Sequence, residues 1–147
     1  MNLSNIEKYE DLIDASPNAE VSLIELALKN DSDAAYVLGI AYHDADITPG
    51  SSENAIKFLT IASNLGHLKA KHDLACFYYY AYGFPQGFQD LGHAARLFEE
   101  NAKENYVPSL IFLSSMYKNG EGVELNELKA KEYLNKAILN GFKPNET

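Results

Sequence analysis

The residues best suited to chemistry lie in a short acidic stretch, His43-Asp44-Ala45-Asp46, with Thr48 just beyond it. Oxygen ligands at alternate positions are how a calcium loop begins, and Asp44, Asp46 and Thr48 imitate that opening. The imitation fails where such a loop must turn and close. Pro49 holds the sixth place instead of glycine, and Ala55 the twelfth instead of a bidentate glutamate. His67 and His72 are five residues apart across a predicted helix start, a poor spacing for two ligands of one metal. Cys76 lies between Ala75 and Phe77 and reads as a small half-buried side chain. The chain has no Gly-x-Ser-x-Gly, no His-Glu-x-x-His and no phosphate-cradling glycine loop. The expectation is a protein without catalytic residues, metal or cofactor.

Recognition chemistry is better represented. Phe77-Tyr78-Tyr79-Tyr80-Ala81-Tyr82-Gly83-Phe84 places five aromatics in the first six positions. A helix buries one stripe, so these cannot all be core. Phe77 and Tyr78 are expected to point inward. Tyr79 and Tyr80 are expected to be exposed, and with Tyr82 and Phe84 they are candidate anchors for a partner. His43, Asp44 and Asp46 are further candidate partner contacts.

Such residues need elements to hold them, and the apolar spacing is helical throughout. Leu3, Ile6, Tyr9, Leu12 and Ile13 recur at helical intervals. Ser16-Pro17 reads as an N-cap followed by proline at the first helical position. Asp31-Ser32-Asp33, Ser51, Asp90 and Asn126 read as later caps, and Gly66 as the residue just past a helix end. Pro108 marks another helix start.

The helices repeat. Leu38, Leu74 and Leu113 each stand four residues after a small residue (Ala34, Ala70, Ser109) and four before a tyrosine (Tyr42, Tyr78, Tyr117). Ala19, Ala55, Ala94 and Ala130 mark equivalent second helices. Leu38 to Leu74 is 36 residues and Leu74 to Leu113 is 39, the surplus three falling in the aromatic loop. A period of this length signals stacked helical hairpins. Small residues on facing stripes let two antiparallel helices approach to about 8–10 Å.

Three patterns carry a resemblance to a known family: Ala34-x3-Leu38-Gly39-x2-Tyr42, the Tyr117-x2-Gly120-x-Gly122-Val123 turn, and Lys129-Ala130-x2-Tyr133-x3-Ala137-x3-Gly141. They resemble Sel1-like repeats, relatives of the tetratricopeptide repeats, over about residues 17–143. The chain departs from the pattern where Ala75 and Ser114 replace the glycine after leucine, and where Ala45 and Ile47 replace the paired glycines. The resemblance implies an all-α solenoid of antiparallel helix hairpins, with about three and a half repeats and about eight helices. Its expected parts are a helical pair over 1–30, repeats over 31–66, 67–105 and 106–141, and a tail over 142–147, in one domain. It implies a scaffold for protein–protein contact, used by relatives as adaptors or as immunity partners of toxic effectors. A cysteine-rich branch is associated with β-lactam binding, but one cysteine cannot supply that branch's pairs.

Charge narrows the partner. The net charge of −9 lies wholly in residues 1–56, where eleven acids face Lys8 and Lys29 alone. Such a surface repels phosphate backbones and suits a basic protein. No run reaches the roughly 20 apolar residues of a membrane span, and the start lacks a signal's basic flank and apolar run. The expectation is a cytoplasmic monomer or weak dimer, with no nucleic-acid or membrane partner. It binds a protein, as an inhibitor or immunity protein for a basic toxin or as a general adaptor. The opposing class is a hydrolytic enzyme.

Overall fold

The described residues, 3–16, 18–44, 51–82 and 89–144 of the computed structural model, contain eight helices and no strand. In order these are α1 (Leu3–Ala15), α2 (Ala19–Leu28), α3 (Ser32–Asp44) and α4 (Ser51–Asn64), then α5 (Leu68–Tyr80), α6 (Leu91–Lys103), α7 (Val107–Asn119) and α8 (Glu127–Leu139). Pro17, the loop holding Asp46 and the loop holding Phe84 lie outside the described residues.

Side-chain caps start most of the later helices. Asp90 Oδ1 accepts the His93 N–H at 2.8 Å, and Asn126 Oδ1 accepts that of Lys129 at 3.0 Å. Asp31 Oδ1 accepts the Ala34 N–H at 2.9 Å, so Asp31 is the capping residue of that trio and α3 begins at Ser32. The expected cap at Ser16 makes its side-chain bond, Oγ accepting the Asn18 N–H at 3.3 Å, but in a turn that precedes α2. Ser16 O accepts the Ala19 N–H at 3.0 Å, making a turn first, and α2 then starts from Asn18 without a side-chain cap.

The residues fall into two compact units, with the division inside α5 between Leu74 and Ala75. In the first unit α3 and α4 pair closely. Leu23, Leu38 and Leu59 are fully buried among Ala19, Ala27, Ala34, Ala35, Ala55 and Ala62. Gly39 is the seam of that hairpin, since a β-carbon there would stand 2.8 Å from Leu59 Cγ. The Tyr9 hydroxyl donates to Asp31 Oδ2 at 2.8 Å, and the Tyr42 hydroxyl donates to Glu20.

The core of the second unit joins Ala75, Ala94, Ala95, Phe98, Leu110, Leu113, Met116, Tyr117, Ala130 and Ala137. Here Ser114 replaces the seam glycine, and its hydroxyl donates to the Ala130 carbonyl of α8 at 2.8 Å. Two buried polar side chains meet, Asn101 Nδ2 donating to Ser109 Oγ at 3.2 Å. The turn before α8 needs left-handed backbone at Gly120 (φ 69°) and Gly122 (φ 68°). Gly122 also abuts a main chain, where its β-carbon would lie 2.4 Å from the carbonyl of Leu91.

Those two glycines share a backbone conformation but not a steric surrounding, because at Gly120 the nearest neighbour is the exposed Leu125 side chain at 3.3 Å. Gly120→Ala and Gly122→Ala therefore carry the same left-handed cost, and only the second adds a main-chain clash. Urea denaturation is expected to show Gly122→Ala the less stable by about 2 kcal/mol or more. Equal losses would mean that the Leu91 contact is not tight.

Candidate functional site

In the second unit, aromatic rings lead from the core to the surface. Phe98 is fully buried and stacks on Phe112, with ring centroids 4.8 Å apart. Phe112 meets Tyr79 edge-on at 5.6 Å and Tyr80 at 6.4 Å. Tyr80 in turn lies 5.3 Å from Tyr82. Tyr80 and Tyr82 are 48% and 51% exposed, while Phe77 is buried and stands edge-on to Tyr82 at 6.2 Å. Edge-on and offset rings are the favoured aromatic geometries, so each exposed ring is oriented by the next one inward.

The backbone at the end of α5 sets this display. Ala81 adopts φ 59°, the left-handed conformation that Gly120 takes at the equivalent place after α7. That bend lets the Tyr82 N–H donate to the Phe77 carbonyl at 3.0 Å. Gln89 Nε2 donates to the Tyr79 carbonyl at 2.7 Å, and the Asp90 N–H donates to that of Tyr78 at 3.1 Å. Carbonyls left over at the helix end are thereby satisfied.

One sequence expectation is corrected here. Tyr79 is half-buried where exposure was expected. Its ring rests on Phe112 and its hydroxyl donates to Glu121 Oε2 at 2.9 Å. Burial first, and then that bond, push its pKa up to about 12. Tyr79 is a strut between α5 and the glycine turn. Phe112 and Glu121 were not singled out in the sequence. By register Phe112 matches Val37 and Asp73, which gives no aromatic cue.

In the first unit, His43 and Asp44 are exposed in the last turn of α3. Asp44 lines a groove of about 440 Å³ with Glu10 and Ile13 of α1 and Val37, Ile40 and Ala41 of α3. Two of the candidate contacts, Asp44 and Tyr80, hold the same register position in their repeats. Asp46 and Phe84 lie outside the described residues.

The histidines considered as ligands have structural surroundings. His67 is buried and caps α5, with Nδ1 accepting the Ala70 N–H at 3.1 Å. That bond places the neutral ring's proton on Nε2, which faces Asp33 Oδ1 at 3.4 Å. Tyr36 stacks on the same ring at 4.5 Å. Burial lowers the pKa of His67 against the opposing pull of Asp33, and lowers that of His72 to about 4. Asp73 is raised by burial. Cys76 is half-buried against the second unit's core. Among the described residues no three His, Cys, Asp or Glu side chains converge.

Comparison with known proteins now names the architecture. The Sel1 repeat model matches residues 32–67, 68–106 and 107–142. The chain belongs to the Sel1 repeat family. A Sel1 repeat protein of Oxalobacter formigenes superposes with a TM-score of 0.73 at 23% identity, covering 86% of this chain and 92% of that one. A protective antigen of uropathogenic Escherichia coli with an SLR fold gives 0.75 at 21% identity over 84% of this chain, which spans only 26% of that protein. Cysteine-rich protein B of Helicobacter pylori gives 0.63 at 20% identity, covering 86% and 88%. No curated protein matches. The fold is therefore the all-α solenoid class built from antiparallel helix pairs. Sel1-repeat proteins generally mediate protein–protein contact, and the fold is a scaffold not typically enzymatic. No helix among the described residues is long and apolar enough to cross a membrane.

Two outcomes follow from this geometry. Tyr79→Phe removes a bond to a carboxylate and is expected to cost about 1.5–3 kcal/mol in chemical denaturation, whereas Tyr80→Phe is near neutral. Equal effects would place both hydroxyls in solvent. A group whose folded pKa lies below its unfolded value gives stability that is complete above the unfolded pKa and is lost as pH falls. His72 should thus drain stability between the ordinary histidine value, about 6.5, and about 4, while Asp73 acts in the opposite sense. His72→Gln should flatten the fall in melting temperature across that window, and an unchanged slope would contradict the burial of the ring.

Proposed function

We propose that this Sel1-repeat chain binds a basic protein partner, with Tyr80 and Tyr82 as anchors. The observation that carries the reading is the pair of half-exposed tyrosines, each backed by rings that reach the fully buried Phe98. A preoriented aromatic loses little side-chain entropy when a partner covers it, and tyrosine is a common anchor at interfaces. The acidic first 56 residues support a basic partner by steering its approach. In the narrower form of this reading the chain is a cytoplasmic inhibitor, an immunity protein that neutralises a basic toxin, acting as a monomer or weak dimer without catalysis or cofactor.

Affinity capture at two salt concentrations supplies the partner, and kinetics with the purified pair test the reading. An inhibitor forms a one-to-one complex whose association rate falls steeply with salt. Tyr80→Ala with Tyr82→Ala is expected to weaken it by about 2 kcal/mol or more, with the melting temperature unchanged. Several weak partners insensitive to salt would favour a general adaptor instead. Undiminished affinity in the double variant would remove the tyrosines from the interface.

A further inference from the structure

The groove between α1 and α3 is a candidate for where a basic partner's side chains go. Its α3 wall consists of Val37, Ile40, Ala41 and Asp44, spaced as one helical face over two turns. At about 1.5 Å per residue that face is roughly 10 Å long, the length of about three extended residues. The floor is apolar: Val37 is buried, and Ile13, Ile40 and Ala41 are half-exposed. Among the described residues, the charged side chains lining the groove are Glu10 and Asp44, both exposed, and none is basic.

Two further facts assign a sign to the occupant. Several nearby acids are already engaged within the unit, Glu20 by Tyr42 and Asp31 by Tyr9, whereas Glu10 and Asp44 stand at the groove's rim. Asp44 is also in the last turn of α3, where the partial negative charge of the helix end adds to its own. The hollow between α7 and α8 in the second unit differs, because Lys118 and Lys131 outnumber Glu127 there and leave its lining net positive.

We propose that this groove takes an extended segment of the partner in which one aliphatic side chain seats on the Ile13–Val37–Ile40–Ala41 floor while flanking lysine or arginine side chains reach Glu10 and Asp44. The proposal rests on the reading of the chain as a binder of a basic protein, and adds a second point of contact apart from the tyrosines. Charge complementarity decides the occupant. An apolar floor alone would accept any aliphatic segment, but the two carboxylates in its lining favour a cationic one.

The test uses a capped heptapeptide, Ser-Lys-Lys-Leu-Lys-Lys-Ser, titrated into the whole labelled chain and followed by backbone amide shifts. Shifts are expected at α1 and α3 around the groove, with affinity falling about tenfold or more in Glu10→Gln with Asp44→Asn, and falling likewise on raising salt. Replacing the peptide's leucine by serine, or its lysines by glutamine, should abolish the shifts. Tyr80→Ala with Tyr82→Ala should leave peptide binding unchanged, which separates this inference from the tyrosine reading. Shifts elsewhere only, equal binding by the glutamine peptide, or full affinity in the carboxamide variant would each overturn it. Groove shifts that grow with protein concentration in the absence of peptide would overturn it too, by making a second copy the occupant.

Discussion

Close approach of paired helices is the constraint from which the other features of each unit follow. In α3 and α4 it is met by removing a side chain, so that Gly39 lies against Leu59. In α7 and α8 it is met by a small polar residue whose hydroxyl satisfies a carbonyl of the facing helix, Ser114 to Ala130. Neither hairpin could tolerate a large residue at that position without separating its helices. Buried alanines, among them Ala34, Ala55 and Ala62 in the first unit and Ala130 and Ala137 in the second, allow the same approach. Beside the seams, Leu38 and Leu59 in the first unit and Phe98, Leu110 and Leu113 in the second fill the core.

Tyrosine hydroxyls and carboxylates supply a second layer. Tyr9 with Asp31, Tyr42 with Glu20, Tyr79 with Glu121 and Tyr117 with Glu99 each join residues 18 or more positions apart. Burial and these bonds hold the phenol of Tyr117 protonated well above its ordinary range. An acidic sequence is thus only partly an acidic surface. The carboxylates that accept tyrosines are committed to the fold, which leaves Glu10 and Asp44 as the groove's negative groups. Tyr79 and Tyr80 are adjacent in sequence and both rings meet Phe112, yet Tyr79 is tied to Glu121 while Tyr80 is half-exposed.

That difference marks where the sequence could be read and where it could not. Helices, the repeat and the caps at Asp90 and Asn126 were readable because they depend on neighbours within four residues. Burial of Ala55, Ala94 and Ala130 followed from their shared register. α2 begins two residues later than the Ser16-Pro17 signal implies, because Ser16 accepts the Asn18 and Ala19 amides in a turn before the helix. Tyr79 was misjudged because its partner, Glu121, is 42 residues away and belongs to another repeat. His67 gave no cue to its role, since histidine seldom caps a helix and only burial shows its nitrogen facing the Ala70 amide. The α1–α3 groove depends on which side of α1 meets α3, and a helical period alone leaves that choice open.

Native-state hydrogen exchange most directly tests the claim that close seams hold the hairpins and leave their first-helix faces free to bind. The amides of α3 and α4 around Gly39 and Leu59, and those of α7 and α8 around Ser114 and Ala130, should exchange slowest in their respective units, by global opening only. Amides in the exposed last turn of α3 and at Ala81 and Tyr82 should exchange orders of magnitude faster. Seam amides that exchange as quickly as those would contradict the account, since the scaffold would then yield where it is claimed to be firmest.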